Sequence, residues 1–267
     1  MKPPLVILIS ACLASVSFVG WRVHAMRNHT VNHFELVQDP SLSFTGGCAS
    51  VVGAAEEVLR DPGASAGSTL TVLALGDQST ANEPRRLATY AIPTSYKVID
   101  GKRAAVERED RLLHDLRTRC ESVRPTLVSP IYLGVKQAVA DLQAEGCKEG
   151  AHCGLLASTD LEENGVRAIE ERINRGGARR GPLPARLDNS GITVTFCGFA
   201  ETAGRLVGPS GREVHSAAAR DPHRDDRLRA VWESLFARPE LVRFAPYCPA
   251  PSGLPAQDAA GTTTRGQ

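Results

Sequence analysis

The sequence predicts an α/β fold: a doubly wound, mainly parallel sheet with helices on both faces. Three observations carry that prediction. Candidate strands and helices alternate along residues 33–240, the pattern of strand–helix–strand units. The runs at 69–76 (TLTVLALG) and 154–158 (GLLAS) are continuously apolar, as strands covered on both faces are. Acids and hydroxyls follow directly on several of these runs, at the edge where open α/β sheets bind ligands.

Each element has its own signal. Residues 33–38 (HFELVQ) read as a modest first strand. A helix over 46–60 follows, with Ala49, Val52, Ala55, Val58 and Leu59 on one face and the stop Asp61-Pro62-Gly63. The strand at 69–76 comes next. Residues 87–100 are rich in β-branched and aromatic residues and are interrupted by Pro93, a strand with an irregular end. Residues 104–122 form a long charged helix whose apolar side is Leu112, Leu113 and Leu116. Ser129-Pro130 opens a helix that runs to about Ala144, with Ser129 as N-cap and Pro130 in the first helical position. After the strand at 154–158 come a helix at 166–175, a basic Gly- and Pro-rich loop at 176–184, a strand at 192–198 and a helix at 227–238.

Composition sets the outer limits. Of 267 residues, 42% are hydrophobic and 23% charged, the balance of a globular protein. The net charge of +1, from 31 basic and 30 acidic residues, provides no footprint for nucleic acid. There is no internal repeat and no break within 33–240, so that region reads as one domain. Residues 1–32 precede it as a signal or anchor with a short stalk, and 241–267 follow as a C-terminal tail of disordered composition.

Residues 3–21 carry no charge, close to the ~20 apolar residues that a membrane span needs. An uncleaved anchor is the first reading. A lipoprotein signal ending at Cys12 (ISAC), a cleaved secretory signal and a buried helix of a soluble core are the alternatives. The first three place the remainder of the chain at or beyond a membrane. Besides Cys12 there are six cysteines: Cys48, Cys120, Cys147, Cys153, Cys197 and Cys248. An even set suits three disulfides in an oxidising compartment. Cys147 and Cys153, flanking KEGAH, are the most plausible local pair. Free buried thiols and a zinc site are the other readings, and zinc lacks a second ligand pair at short spacing.

The chemistry concentrates on three stretches. Asp39-Pro40-Ser41-Leu42-Ser43 follows the first strand, Ser129 opens a helix, and Asp160 ends a central strand. By itself the pentad reads as a turn opening a helix. Together the three place two carboxylates and three hydroxyls at one edge, an all-oxygen set of the kind Mg²⁺ accepts. The set resembles the von Willebrand factor type A domain and its metal-ion-dependent adhesion site, in a bacterial membrane-anchored or exported form. That family pattern is D-x-S-x-S after the first strand, a Thr before a later helix, and an Asp ending the fourth strand. Here DPSLS supplies the first part, Ser129 in SPIYLGV takes the Thr place with Gly134 five residues on, and Asp160 in LLASTDLEENG supplies the last. The sequence departs from the pattern in having Leu42 where Gly is favoured, Pro40 beside it, Ser for Thr at 129, and Leu161 for Gly after Asp160.

The resemblance implies a Rossmann-like sheet over roughly 33–240. It also implies Mg²⁺, with Mn²⁺ or Ca²⁺ as alternatives, held by Asp39, Ser41, Ser43, Ser129 and Asp160. A carboxylate from a partner protein would complete the metal shell. The expected function is therefore metal-dependent protein binding at or beyond a membrane, and not catalysis. A metal-free scaffold and an Mg²⁺-dependent hydrolase built on Asp39 and Asp160 are the alternatives. Asp77 and Thr80 read as turn formers, with a place on the same edge as the alternative; Glu162 and Glu163 read as solvated loop acids, with outer-shell acids as the alternative; and His114, His152, His215 and His223 read as surface residues. No phosphate-binding or dinucleotide glycine motif is present, and Gly208-Pro209-Ser210-Gly211 lies in a polar loop where no nucleophile elbow forms.

Overall fold

The computed structural model describes residues 31–42, 44, 46–60, 67–76, 84–92, 101–126, 128–148, 152–174, 182–199, 206–207, 213–214 and 222–248. The expected anchor at 3–21, Ser43, Asp77, Thr80, the loop at 208–211 and the tail from 249 onward lie outside these residues.

In chain order the elements are β1 (Asn32–Gln38), α1 (Gly47–Arg60), β2 (Thr69–Ala74), β3 (Arg85–Ala91), α2 (Gly101–Glu121), α3 (Ile131–Ala144), β4 (His152–Ser158), α4 (Arg167–Asn174), β5 (Ile192–Cys197), the two-residue strands β6 (Leu206–Val207) and β7 (Glu213–Val214), α5 (Pro222–Ser234) and β8 (Val242–Ala245). The main sheet has the order β3-β2-β1-β4-β5-β8. All neighbours in it are parallel except β2 and β3. Among the described residues β6 and β7 pair with each other in a separate two-stranded sheet.

This is the doubly wound class that the alternating pattern predicts. Successive residues of the central strands serve opposite layers, as the two-residue repeat requires. Leu36 of β1, Leu70 and Val72 of β2, the apolar face of α1 and Leu116 of α2 form one buried cluster. Val37, Leu73, Leu155, Val194 and Phe196 form the other with α3, α4 and α5. Helix α3 meets the sheet at Gly134, where there is no room for a side chain. A Cβ there would overlap Leu75 Cδ2 and stand 3.3 Å from Val37 Cγ1.

Three boundaries differ from the sequence expectation. β3 stops at Ala91 and runs antiparallel to β2, because residues 75–84 are too few for the crossover that a parallel partner needs. α5 begins at Pro222 and ends at Ser234. Its last turn gives way to a ladder in which Leu187 N–H donates to the Leu235 carbonyl and Ala237 N–H to the Leu187 carbonyl, both at 2.8 Å. The sheet also continues past residue 240, where the sequence reading ended the domain. β8 pairs with β5 from Val242↔Val194 to Ala245↔Cys197.

The six described cysteines form three disulfides. Cys48–Cys120 ties α1 to α2, Cys147–Cys153 closes the loop from α3 to β4, and Cys197–Cys248 ties the end of β5 to the segment after β8. Among the described residues no helix is long and apolar enough to cross a membrane.

Candidate functional site

The chain reverses its winding between β1 and β4, and sheets of this class bind ligands at the carboxyl ends of the strands beside such a switch point. Asp39 is the first residue past β1. Its N–H donates to the Ser158 carbonyl at 3.1 Å, which extends the β1–β4 ladder by one bond and holds Asp39 at the sheet edge. The next residues pair with the segment before α3. Thr126 N–H donates to the Pro40 carbonyl and Leu42 N–H to the Thr126 carbonyl, each at 3.0 Å. Pro40 therefore forfeits no bond there, since only its carbonyl is needed, and Leu42 supplies the donor. Helix α1 begins at Gly47.

The Asp39 carboxylate is fully buried. Its Oδ1 accepts from Ser41 N–H at 2.9 Å and from the Ser129 hydroxyl at 2.8 Å. Its Oδ2 accepts from the Thr159 hydroxyl at 2.8 Å. Burial raises the carboxyl above its ordinary range, while the bonds from Ser41, Thr159 and Ser129 pull it down. Among the described residues no Lys, Arg or His forms an ion pair with it.

Ser129 is buried and occupies a different role from the one expected. The N-cap of α3 is Pro130, which makes no side-chain cap bond, and the helix begins at Ile131. The Ser129 hydroxyl is committed to Asp39. The cap comes instead from Glu163, whose Oε2 accepts from Tyr132 N–H at 2.6 Å. A carboxylate at a helix N-terminus satisfies a free donor and complements the helix dipole. Glu163 Oε1 accepts from Gly165 N–H at 2.6 Å and Val166 N–H at 2.9 Å. The expectation that Glu163 sits in solvent is thus corrected: it is 2% exposed. Burial pushes its carboxyl up to about 7, against the three N–H donors, and the charge of Asp39 adds to the rise.

The loop that carries Asp160 is bound to the start of α3 at further points. Ser129 N–H donates to Asn164 Oδ1, and Asn164 N–H returns a bond to the Ser129 carbonyl at 3.3 Å. Gly165 makes this approach possible, because a Cβ there would lie 2.6 Å from Pro130 Cβ and 2.7 Å from Pro130 Cα. Asp160 is buried, and its Oδ1 accepts from Glu162 N–H at 3.0 Å. Leu161 has a φ of +66°, the one positive value among described non-glycine residues.

Of the expected set, Asp39, Ser41 and Ser129 are in direct contact, and Asp160 follows Thr159 on the adjoining strand end. Ser43 lies outside the described residues. Thr159 and Thr126 are additions that the sequence did not single out, and Glu163, expected in solvent, joins them. The Thr159-Asp160 pair at the end of a buried strand was the available signal.

No family model and no curated protein matches the chain. Among solved structures, the chain is similar to the manganese-loaded TRAP protein of Plasmodium vivax, at 16% identity and a TM-score of 0.34, over 64% of this chain and 58% of that one. That likeness carries no weight in the argument; the assignment of fold class rests on strand order and register.

The donor set fits a hard divalent cation. Among the described residues no three His, Cys, Asp or Glu side chains are grouped to hold a metal. The groups on Asp39 are hydroxyls, the neutral oxygens that Mg²⁺ combines with one or two carboxylates. The Ser129 and Thr159 hydroxyls donate hydrogen bonds to Asp39, which leaves lone pairs on their oxygens for a cation. Among the described residues the buried Asp39 has no basic partner, so its ionised form would need its charge compensated.

Proposed function

We propose that this chain is a divalent-cation-dependent protein-binding module rather than an enzyme. Asp39, Ser41, Ser43, Ser129 and Asp160 would hold the ion, with Mg²⁺ as the first choice and Mn²⁺ or Ca²⁺ as alternatives. The observation that supports this most is the fully buried Asp39 carboxylate, which accepts from hydroxyls and has no basic partner among the described residues. When bound, the ion would supply an electrophilic position that a carboxylate of a partner protein can fill. The residues of the chain orient that position: Ser129 and Thr159 fix Asp39, and Glu163 locks the Asp160 loop onto α3. The three disulfides support an extracytoplasmic setting, with residues 3–21 as membrane anchor or export signal.

A metal-free scaffold is the second reading. It is favoured by one fact: Asp39 already accepts hydrogen bonds from Ser41, Ser129 and Thr159. Thermal melts with and without Mg²⁺ separate the two. Binding to the folded state alone raises the melting temperature, so Mg²⁺ should stabilise the wild type and leave Asp39→Ala unchanged. Identical wild-type curves with and without metal would sink the cation reading. Capture of a partner from a membrane fraction in Mg²⁺, and its release by EDTA, would test the binding role.

A further inference from the structure

The strained residue of the site loop is tied to a helix that the proposed function does not use. Leu161 is fully enclosed and adopts φ +66°, a conformation that costs a non-glycine residue energy and persists only where surrounding contacts enforce it. Its two backbone polar groups show what enforces it. The N–H donates to Thr159 Oγ1 at 3.1 Å. The carbonyl accepts from the Trp232 indole N–H at 3.2 Å and from Glu163 N–H at 3.1 Å. Trp232 belongs to α5, is 0% exposed, and packs on Phe196 of β5 with ring centroids 5.0 Å apart. Its indole is therefore a fixed donor. The Thr159 hydroxyl that receives the Leu161 N–H gives its own proton to Asp39 Oδ2 at 2.8 Å. A continuous path runs from Trp232 through the Leu161 peptide and the Thr159 hydroxyl to Asp39.

We infer that Trp232 is a positioning residue for the Asp39 site: its indole N–H holds the Leu161 peptide in the left-handed turn that sets the Thr159 hydroxyl on Asp39 and orients Asp160. The metal part of this inference rests on the cation reading given above. Without the indole donor, the Leu161 peptide can relax toward an ordinary right-handed conformation. Its N–H then leaves Thr159, and the hydroxyl is no longer directed at Asp39.

The test is Trp232→Phe in the full chain, read by amide hydrogen exchange and by calorimetric titration with Mg²⁺ alone. A hydrogen bond of ordinary net strength is worth about fivefold in an equilibrium constant. The Leu161 and Glu163 amides should exchange at least about fivefold faster in the variant, while Leu155 in mid-β4 stays at its wild-type rate. Mg²⁺ binding should weaken by a similar factor. If the variant does not fold, β-(3-benzothienyl)alanine at position 232 keeps the ring shape, lacks the N–H, and should give the same result. Unchanged exchange at Leu161 and Glu163 overturns the latch. Faster exchange with undiminished Mg²⁺ affinity overturns its role in positioning the site. A wild type that takes up no Mg²⁺ removes the cation reading and the metal part of this inference with it, while the exchange result still decides whether Trp232 holds the loop.

Discussion

The hydroxyl of Ser129 donates to Oδ1 of Asp39 at 2.8 Å, joining the start of α3 to the end of β1 across 90 residues of chain. Both groups are buried, so water cannot replace the bond. Ser129→Ala should destabilise the fold by about 1–3 kcal/mol, the cost of removing a donor from a buried acceptor. Thr159→Val should cost a similar amount. The double variant should depart from additivity, because both hydroxyls serve one carboxylate. Urea unfolding of the four proteins checks this, and additive effects would show that the two bonds act independently.

Gly165→Ala should be destabilising by about 1–3 kcal/mol, the usual range for overpacking. The added Cβ would meet Pro130 Cβ at 2.6 Å and Pro130 Cα at 2.7 Å. Pro130 is a rigid neighbour, so the loop and the start of α3 must separate. Bonds between Ser129 and Asn164 should loosen with them. Denaturant midpoints, together with amide exchange at Asn164, report both effects.

Glu35 gives a pH dependence that can be isolated. It is 3% exposed on β1. Burial, then the charge of Asp141, with a smaller push from Glu145 and opposition from Arg86, raises its carboxyl from 4.5 to about 9. Between those values the folded state binds more protons than the unfolded chain. Stability from this group is thus complete below pH 4.5 and is lost as pH rises toward about 9. Glu35→Gln keeps the shape and does not ionise. Its stability relative to wild type should increase with pH across that window, by at most about 1.4 kcal/mol per pH unit. Melts of both proteins at several pH values test it, and parallel profiles would refute it.

The disulfides should contribute unequally. Cys48–Cys120 spans 72 residues, Cys197–Cys248 spans 51, and Cys147–Cys153 only 6. In the chain-entropy account the two long loops are each worth about 4 kcal/mol and the short one about 2 kcal/mol. Replacing Cys48 and Cys120 by Ala should therefore lower the melting temperature more than replacing Cys147 and Cys153. Calorimetry of the paired variants gives the order.

Much of the fold was legible because its signals are local. The apolar runs of β2, β4 and β5 announce buried strands, and Asp61-Pro62-Gly63 follows directly on the last residue of α1. The failures have physical causes too. β8 is four residues long with Arg243 exposed, too short to show a pattern, and it exists because β5 offers it a ladder. The direction of β3 depends on the length of a connection and not on the residues of the strand. Glu163 has the composition of a solvated acid, and only the docking of its loop against Tyr132 takes it out of water.

The sequence by itself determined the α/β class and offered the candidates Asp39, Ser41, Ser43, Ser129 and Asp160, since hydrophobic period and short-range spacing are properties of neighbouring residues. The tertiary structure alone decided that Thr159 and Ser129 share Asp39, that Glu163 caps α3, and that Trp232 grips the Leu161 carbonyl. Those contacts cross 120, 90, 31 and 71 residues. Their existence depends on the register between β1 and β4 and on the packing of α3 and α5 against the sheet, which no local pattern encodes.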